Sequence, residues 1–296
     1  MAKRTNYLQL ALDLRRGSWL IDDPEPMLPV VNAFLTRQSL PVVQLDDFQV
    51  SEFQLSSGGE ARKSKGTQDP HVVVIPIHGT MTKYETCESY GTTDIADRMA
   101  EYAADPSVIG FVLDFDSGGG AANSVPPLVA AIKQARAAGK PVIAHCDACF
   151  SAAYWTASQC DAVFMDNEQS EVGSIGAFAQ FLDDREDKRT GFKVITVYAP
   201  QSTEKNRAYR EALDGKPEAL QQELKELVDL FHAAVIAGRP RLQKEAPGVL
   251  SGGKFGVDRA VELGLADGRA SLQQCVENVF IRTEYKSSNH QIHLII

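Results

Sequence analysis

The sequence predicts an α/β fold in which buried strands alternate with helices. Two short apolar runs carry the strand half of that prediction: Val72–Ile77 (VVVIPI) and Val108–Phe115 (VIGFVLDF). Each has the length of a strand, and neither shows the in–out alternation of a sheet with one wet face, so both read as strands covered on two sides. The third observation is that segments with helical start and stop signals separate them, the arrangement that gives layered packing with right-handed crossovers.

In chain order, Thr92 and Thr93 are placed to cap a helix that runs to about Ala104. Residues 125–138 read as a helix, with Pro126 and Pro127 in its first turn and Gly139 just past its end. Val142–His145 is a third strand, 151–158 a short helix and Ala162–Met165 a fourth strand. Val194–Tyr198 is expected to be a fifth. The segment near 217–237 puts Leu220, Leu224, Leu227, Val228, Phe231 and Val235 on one face and stops at Gly238. Asp258–Leu263 is a further short helix, stopped by Gly264. Ahead of all this lies an extension, 1–54, with one helix expected near 26–36. Residues 55–69 (LSSGGEARKSKGTQD) have linker composition, 70–282 form the main domain, and 283–296 are a tail.

The 296 residues are enough for a full core, and 44% hydrophobic with 23% charged residues is ordinary for a soluble globular chain. A formal net charge of −9 argues against a nucleic-acid partner, which wants clustered Lys and Arg. The apolar stretch 7–14 is broken by Asp13, Arg15 and Arg16 and is followed by no small-residue cleavage site, so it is not a secretory signal. No stretch reaches the roughly 18 apolar residues of a membrane span. Five scattered cysteines (87, 146, 149, 160, 275) read as reduced thiols, and the expected location is cytoplasmic.

Three features could carry chemistry. The second strand ends in Asp116-Ser117-Gly118-Gly119-Gly120, where bare backbone N–H groups suit an oxyanion hole or a phosphate cradle, or form a plain turn. The phosphate-loop reading fails because no Gly-Lys-Ser/Thr comes after it. The third strand runs into CDACFSAAYW, which sets Ser151 at a strand-to-helix junction. That is where a nucleophile profits from the amide of Ala152, and it is also where an ordinary N-cap serine sits. A serine nucleophile needs a base. None of the six histidines comes soon after Ser151, and His145 reads as a core or edge residue. Lysine is the remaining candidate, and it must be held neutral. That means drawing its pKa from about 10.4 to near 7, roughly 4 kcal/mol. Cys146-x-x-Cys149 lacks the second ligand pair of a zinc site and reads as two small buried residues.

Taken together, four segments resemble the signal peptide peptidase family of serine peptidases, relatives of the Clp protease and crotonase folds. They are VIGFVLDFDSGGG, CFSAAYWTASQCDAVFMD, EVGSIGAF and LSGGKFGVDRAVELGLADGRASLQQCVENV, in the family's order over roughly residues 70–280. The resemblance implies a Clp protease/crotonase-like repeated β-β-α superhelix with an N-terminal extension. It also implies a serine endopeptidase with a Ser-Lys dyad. Ser151 matches the nucleophile, and Gly119 with the N–H of Ala152 matches the oxyanion hole, Gly120 beside it. Ser174 matches a serine that hydrogen-bonds the basic lysine, and Lys205, ahead of Arg210-Glu211, matches that lysine. Lys193 and Lys216 are the alternatives.

Three departures stand out. Lys205 lies about two residues nearer Arg210 than the family pattern, Ser-Pro-Gly-Gly reads Ser117-Gly118-Gly119-Gly120, and the usual Gly-Gly after the nucleophile is Ala152-Ala153. The missing membrane anchor matches the soluble, phage-like branch. The resemblance therefore implies peptides, signal-peptide remnants or phage capsid and scaffold proteins as substrates, and a homo-oligomeric ring or dome. It implies no metal and no cofactor. Two rival readings are a scaffold homologue that has lost the dyad and, from another class, a crotonase-type acyl-CoA enzyme.

Overall fold

A computed structural model of the chain describes residues 19–21, 50–55, 60–63, 69–85, 90–180 and 195–287. The expected helix near 26–36, the start of the expected fifth strand and Lys193 lie outside the described residues. The α/β class is as the sequence predicts. The main sheet is built on β4 (His71–His78), β5 (Val108–Ser117) and β7 (Val142–Phe150), which run parallel in the order β4-β5-β7. On the β4 side, β2 (Ser51–Leu55) adds antiparallel and pairs in turn with β3 (Ala61–Lys63), so part of the stretch with linker composition belongs to the sheet. On the other side β7 forks. Its first half, Ile143–Cys146, pairs with β8 (Ala162–Met165), whereas Ala148–Phe150 pairs with β9 (Glu171–Gly173). Antiparallel β10 (Lys254–Gly256) lies next to β9, and β11 (Gly268–Arg269) runs beside β8.

The fork coincides with a bulge. Phe115 faces Cys146 but Ser117 faces Cys149, so two steps on β5 oppose three on β7. An unpaired extra residue bends a strand and re-aims the residues beyond the bend. Here it turns the end of β7 away from β8 toward β9. It also puts Cys146 and Cys149 on the same buried face, with both thiols free.

Helices cover both faces, which is why β4 and β5 carry unbroken apolar runs. One core holds Val73, Ile75, Phe111, Leu113 and Phe115 from the sheet. Against them pack Ile95 and Met99 of α1 (Thr92–Ala104), Leu128 and Ile132 of α2 (Val125–Ala137), and Tyr154 of α3 (Ala152–Ala157). The N-cap of α1 is Gly91, and Thr92 and Thr93 are its first helical residues rather than its caps. On the opposite face Val72, Val74, Val112 and Ile143 meet Cys275, Val276, Val279 and Phe280 of a C-terminal helix. Among the described residues that helix is the last of four that follow β9: α4 (Arg207–Leu213), α5 (Glu218–Gly238), α6 (Val257–Glu262) and α7 (Leu272–Ser287).

The expected strand over 194–198 is corrected. Residues 195–199 have no regular structure, and Ile195 and Val197 are 81% and 88% exposed. An apolar-polar-apolar triplet satisfies the strand period, but without a neighbour to hydrogen-bond the period alone makes no strand. The apolar stripe of α5 is likewise only partly used. Phe231 and Val235 are fully buried, Leu220, Leu224, Leu227 and Val228 are half-buried, and Leu230 is 64% exposed. Phe231 stacks on Trp155 at 4.7 Å between ring centres and 9° between planes, clamping the C-terminal half of α5 onto α3. Just past α5, buried Arg239 pairs with Asp267 at 2.6 Å, and Asp267 also accepts the N–H of Val163 in β8.

Phe231→Ala removes a buried aromatic and its stack on Trp155 and is expected to lower stability by about 3–5 kcal/mol. Leu230→Ala, one residue away on the exposed side, is expected to stay within about 0.5 kcal/mol. Urea titrations of the two variants check the contrast; equal losses would mean that α5 is not seated through Phe231.

Candidate active site

Ser151 lies at the junction of β7 and α3 with φ 54° and ψ −117°, and it is 1% exposed. An N-capping serine keeps an extended backbone and bonds its hydroxyl to an amide one turn on. Ser151 does neither: its φ is positive, and no side-chain cap bond is made. A non-glycine residue in this region is strained and persists only where its surroundings fix it. Two main-chain bonds do so. The Ser151 N–H donates to Gly173 O at 2.9 Å, and the Ser151 carbonyl accepts from Trp155 N at 2.8 Å. Ala152, the first residue of α3, presents one of the amides that a helix leaves without an internal partner.

The partner strand is equally tight. Gly173 has φ 125°, and a Cβ there would collide with the Gly253 carbonyl. Ser174 has φ 52° and donates its N–H to that same carbonyl at 2.8 Å. The structure therefore brings the backbones of Ser151 and Ser174 together through one residue, Gly173. Among the described residues only Ser151, Ser174 and Asn206 combine a side chain with positive φ. The first two are sequence-derived candidates, and the third adjoins Lys205.

The glycine turn leads into β6 (Gly119–Ala121), which packs against α3. Gly119 has φ 98°. Its N–H donates to Ser117 Oγ at 3.1 Å, and that hydroxyl donates to Gly79 O at 2.6 Å. Gly120 lies against the backbone of Met81, leaving no room for a Cβ. The Met81 N–H donates to Gly119 O at 2.8 Å, and the Ala121 N–H donates to Met81 O at 2.9 Å. The Ser117 hydroxyl was not singled out in the sequence, although a serine two residues before the required glycine was the available signal.

Lys205 is exposed in the turn that precedes α4, its N–H donating to Ser202 O at 3.2 Å, and no hydrogen bond joins it to Ser151 or Ser174. The turn itself is pinned. Arg210 lies over the Tyr198 ring at 4.5 Å and donates to Thr203 O at 2.6 Å, and Asn206 Nδ2 donates to the Tyr198 hydroxyl at 3.4 Å. Lys216 is exposed just after α4.

A second polar cluster, unforeseen in the sequence, spans β4, β5, β7 and the end of β8. Asp114 contacts His145 Nδ1 at 2.7 Å and His78 Nε2 at 3.3 Å, and His145 Nε2 contacts Asp166 at 3.1 Å. Burial works against a charge on His145, but the Asp114 hydrogen bond and charge, then those of Asp166, outweigh it and raise its pKa. The Asp114 hydrogen bond raises His78 as well, against the opposing effect of burial. Burial pushes Asp114 up, yet its bonds to His145 and His78 hold it well below the ordinary carboxylate range. Among the described residues no group of three His, Cys, Asp or Glu side chains is arranged to hold a metal ion. Cys146 is raised by burial and then by Cys149, the opposite of what a reactive thiol needs.

Comparison with known proteins supplies the family. The sequence profile of Peptidase family S49 matches residues 134–284, just over half of the 296-residue chain. The chain belongs to peptidase family S49. That is a family of serine-type peptidases, and membership agrees with the resemblance seen in the sequence and with the Clp protease/crotonase-like class of fold it implied. No curated protein sequence matches the chain. Among solved structures it is similar to a mutant of the 1510-N membrane-bound stomatin-specific protease in complex with a substrate peptide. That similarity has 18% identity, 70% of this chain and 78% of the other covered, and a TM-score of 0.37. A second mutant of the same protease gives 18% identity, 69% and 81% coverage and a TM-score of 0.35. An enoyl-CoA hydratase from Shewanella pealeana gives 11% identity, 79% and 73% coverage and a TM-score of 0.41. Among the described residues no helix is long and apolar enough to cross a membrane.

The His145 cluster predicts a pH dependence of stability. A histidine whose folded pKa is raised adds stability that is complete below its unfolded value of about 6.5 and is lost as pH rises through the folded value. The depressed Asp114 adds stability above about pH 3.9 that is lost on acidification. The melting temperature is therefore expected to fall between pH 6 and 8.5, and to fall less in His145→Gln. Parallel curves for the two proteins would contradict the assignment.

Proposed function

We propose that the chain is a serine endopeptidase in which Ser151 is the nucleophile and Lys205 its general base. The observation that carries this reading is the strained, positive-φ backbone of Ser151 at the strand-to-helix junction, with a hydroxyl that caps nothing. Neutral Lys205 takes the Ser151 proton as Oγ bonds to a peptide carbonyl carbon. The N–H groups of Gly119 and Ala152 receive the oxyanion, Gly120 fixing the turn and Ser174 orienting the lysine. Collapse breaks the C–N bond, and the leaving amine takes the proton from Lys205. Water then adds to the acyl-enzyme by the same route, giving a carboxylate and restoring Ser151.

Two rearrangements belong to this mechanism. The Ser117 hydroxyl, which now accepts the Gly119 N–H, must turn aside. The turn that carries Lys205 must close over Ser151 and desolvate the amine. Exposed Ile195 and Val197, just ahead of that turn, supply apolar surface for closure between subunits of a homo-oligomer. The substrates proposed are peptides, signal-peptide remnants or phage capsid and scaffold proteins, held by residues 70–282 without metal or cofactor. The four free, buried cysteines among the described residues favour a cytoplasmic setting. The observation on the side of a non-catalytic scaffold is the exposure of Lys205.

The test is intact-mass spectrometry after reaction with a fluorophosphonate, on the full chain, Ser151→Ala and Lys205→Ala. One adduct is expected on the unmodified chain and none on Ser151→Ala. On Lys205→Ala the labelling rate is expected to fall by about 10²-fold or more. A folded chain that takes up no label would overturn the peptidase reading, and unchanged labelling of Lys205→Ala would remove Lys205 from the dyad.

A further inference from the structure

β6 has two edges, and both are occupied. Met81 takes one of them through the Gly119 carbonyl and the Ala121 N–H. Polar groups on successive residues of a strand face opposite edges, so the N–H and C=O of Gly120 face the other edge. There β1 (Trp19–Ile21) runs antiparallel, with Leu20 opposite Gly120, Ile21 opposite Gly119 and Trp19 opposite Ala121. This is no hairpin. About a hundred residues separate the two strands, so chain connectivity does not impose the pairing. The two strands form a sheet of their own, apart from the main one. A two-stranded pairing of this size is marginally stable alone and is open to exchange.

The position matters because β6 starts at the glycine whose N–H is assigned to the oxyanion, and it packs against the helix that Ser151 precedes. An extended chain on the edge that β1 takes would run along a strand packed against the helix that follows Ser151. An open strand edge is a template for another extended chain, gripped through the main chain and therefore tolerant of sequence. With glycine at two of its three positions, β6 adds no side chains there to obstruct an incoming backbone.

We propose that this edge is the peptide-docking edge of the peptidase and that β1 occupies it as a built-in competitor, a strand of the chain's own N-terminal extension held where an extended peptide substrate binds. The inference rests on the peptidase reading for its purpose, but the docking itself does not depend on turnover. Substrate must displace β1, so activity in the full chain is held below that of a chain whose β1 cannot pair. The tripeptide Trp-Leu-Ile marks the occupant as apolar and strand-forming, and a substrate segment of the same kind competes best.

Leu20→Pro in the full chain tests this, because proline removes the N–H that faces Gly120 and breaks the strand. The probe is a fluorescent synthetic peptide with the sequence of residues 15–25, measured by anisotropy in the Ser151→Ala background so that nothing is cleaved. Binding is expected to be at least about ten-fold tighter to the Leu20→Pro protein, and lost when the peptide itself carries proline at the Leu20 position. Amide exchange of the segment 117–124 is expected to be faster in Leu20→Pro, with the melting temperature unchanged. Equal peptide affinity, or unchanged exchange at 117–124, would overturn the proposal. Because the peptide measurement needs no catalysis, its failure and a failure of Ser151 to label are separate results.

Discussion

The hydrogen bond from the Ser151 N–H to the Gly173 carbonyl is the constraint on which the rest of the site depends. A strand that enters a helix through a non-glycine residue of positive φ does not hold itself in that conformation. The bulge in β7 turns its last three residues onto β9. That pairing delivers the Gly173 carbonyl to Ser151 and leaves the serine side chain free of its ordinary capping duty. Gly173 must be glycine, both for its own φ and because the Gly253 carbonyl occupies the space of a Cβ. The same Gly253 carbonyl accepts from Ser174, so β7, β9 and the approach to β10 are locked by two main-chain bonds around one glycine.

Everything else arranges itself about that lock. The apolar sheet and its two helical layers give it a rigid base. Trp155 and Phe231 tie α3 to α5, and Arg239 with Asp267 ties the end of α5 to the strand beside β7. The glycine turn leads into β6, which packs against α3. Its amide is held by Ser117 and its outer edge by β1, so both halves of the proposed oxyanion and substrate site are in a protected, resting arrangement. Lys205 is also withdrawn, in a turn pinned by Tyr198 and Arg210. On the proposed reading, Ser151 is a preformed nucleophile whose helpers are set aside.

The parts of this that could be read from the sequence are those written in local pattern. The buried strands β4, β5 and β8, the helix that opens with Pro126 and Pro127, and the position of Ser151 between strand and helix are all legible in runs, caps and breakers. Pairings of three residues across long separations leave no such trace. β9 with β10 and β1 with β6 are set by register and by glycine contacts, and nothing periodic announces them. The segment 194–198 failed in the opposite sense: Ile195 and Val197 have strand spacing, but the described chain offers them no neighbour. The network of His78, Asp114, His145 and Asp166 was hidden because its members are scattered in sequence and meet only when four parallel strands come into register.

The most direct test of the account is a crystal structure of the full chain reacted with a peptide aldehyde. The account predicts continuous density from Ser151 Oγ to the aldehyde carbon and the hemiacetal oxygen within hydrogen-bond reach of the Gly119 and Ala152 amides. It also predicts Ser117 turned away and the peptide lying on β6 in place of Trp19–Ile21. An adduct on any other residue, or a bound peptide with Ser151 untouched and β1 still paired to β6, would contradict it.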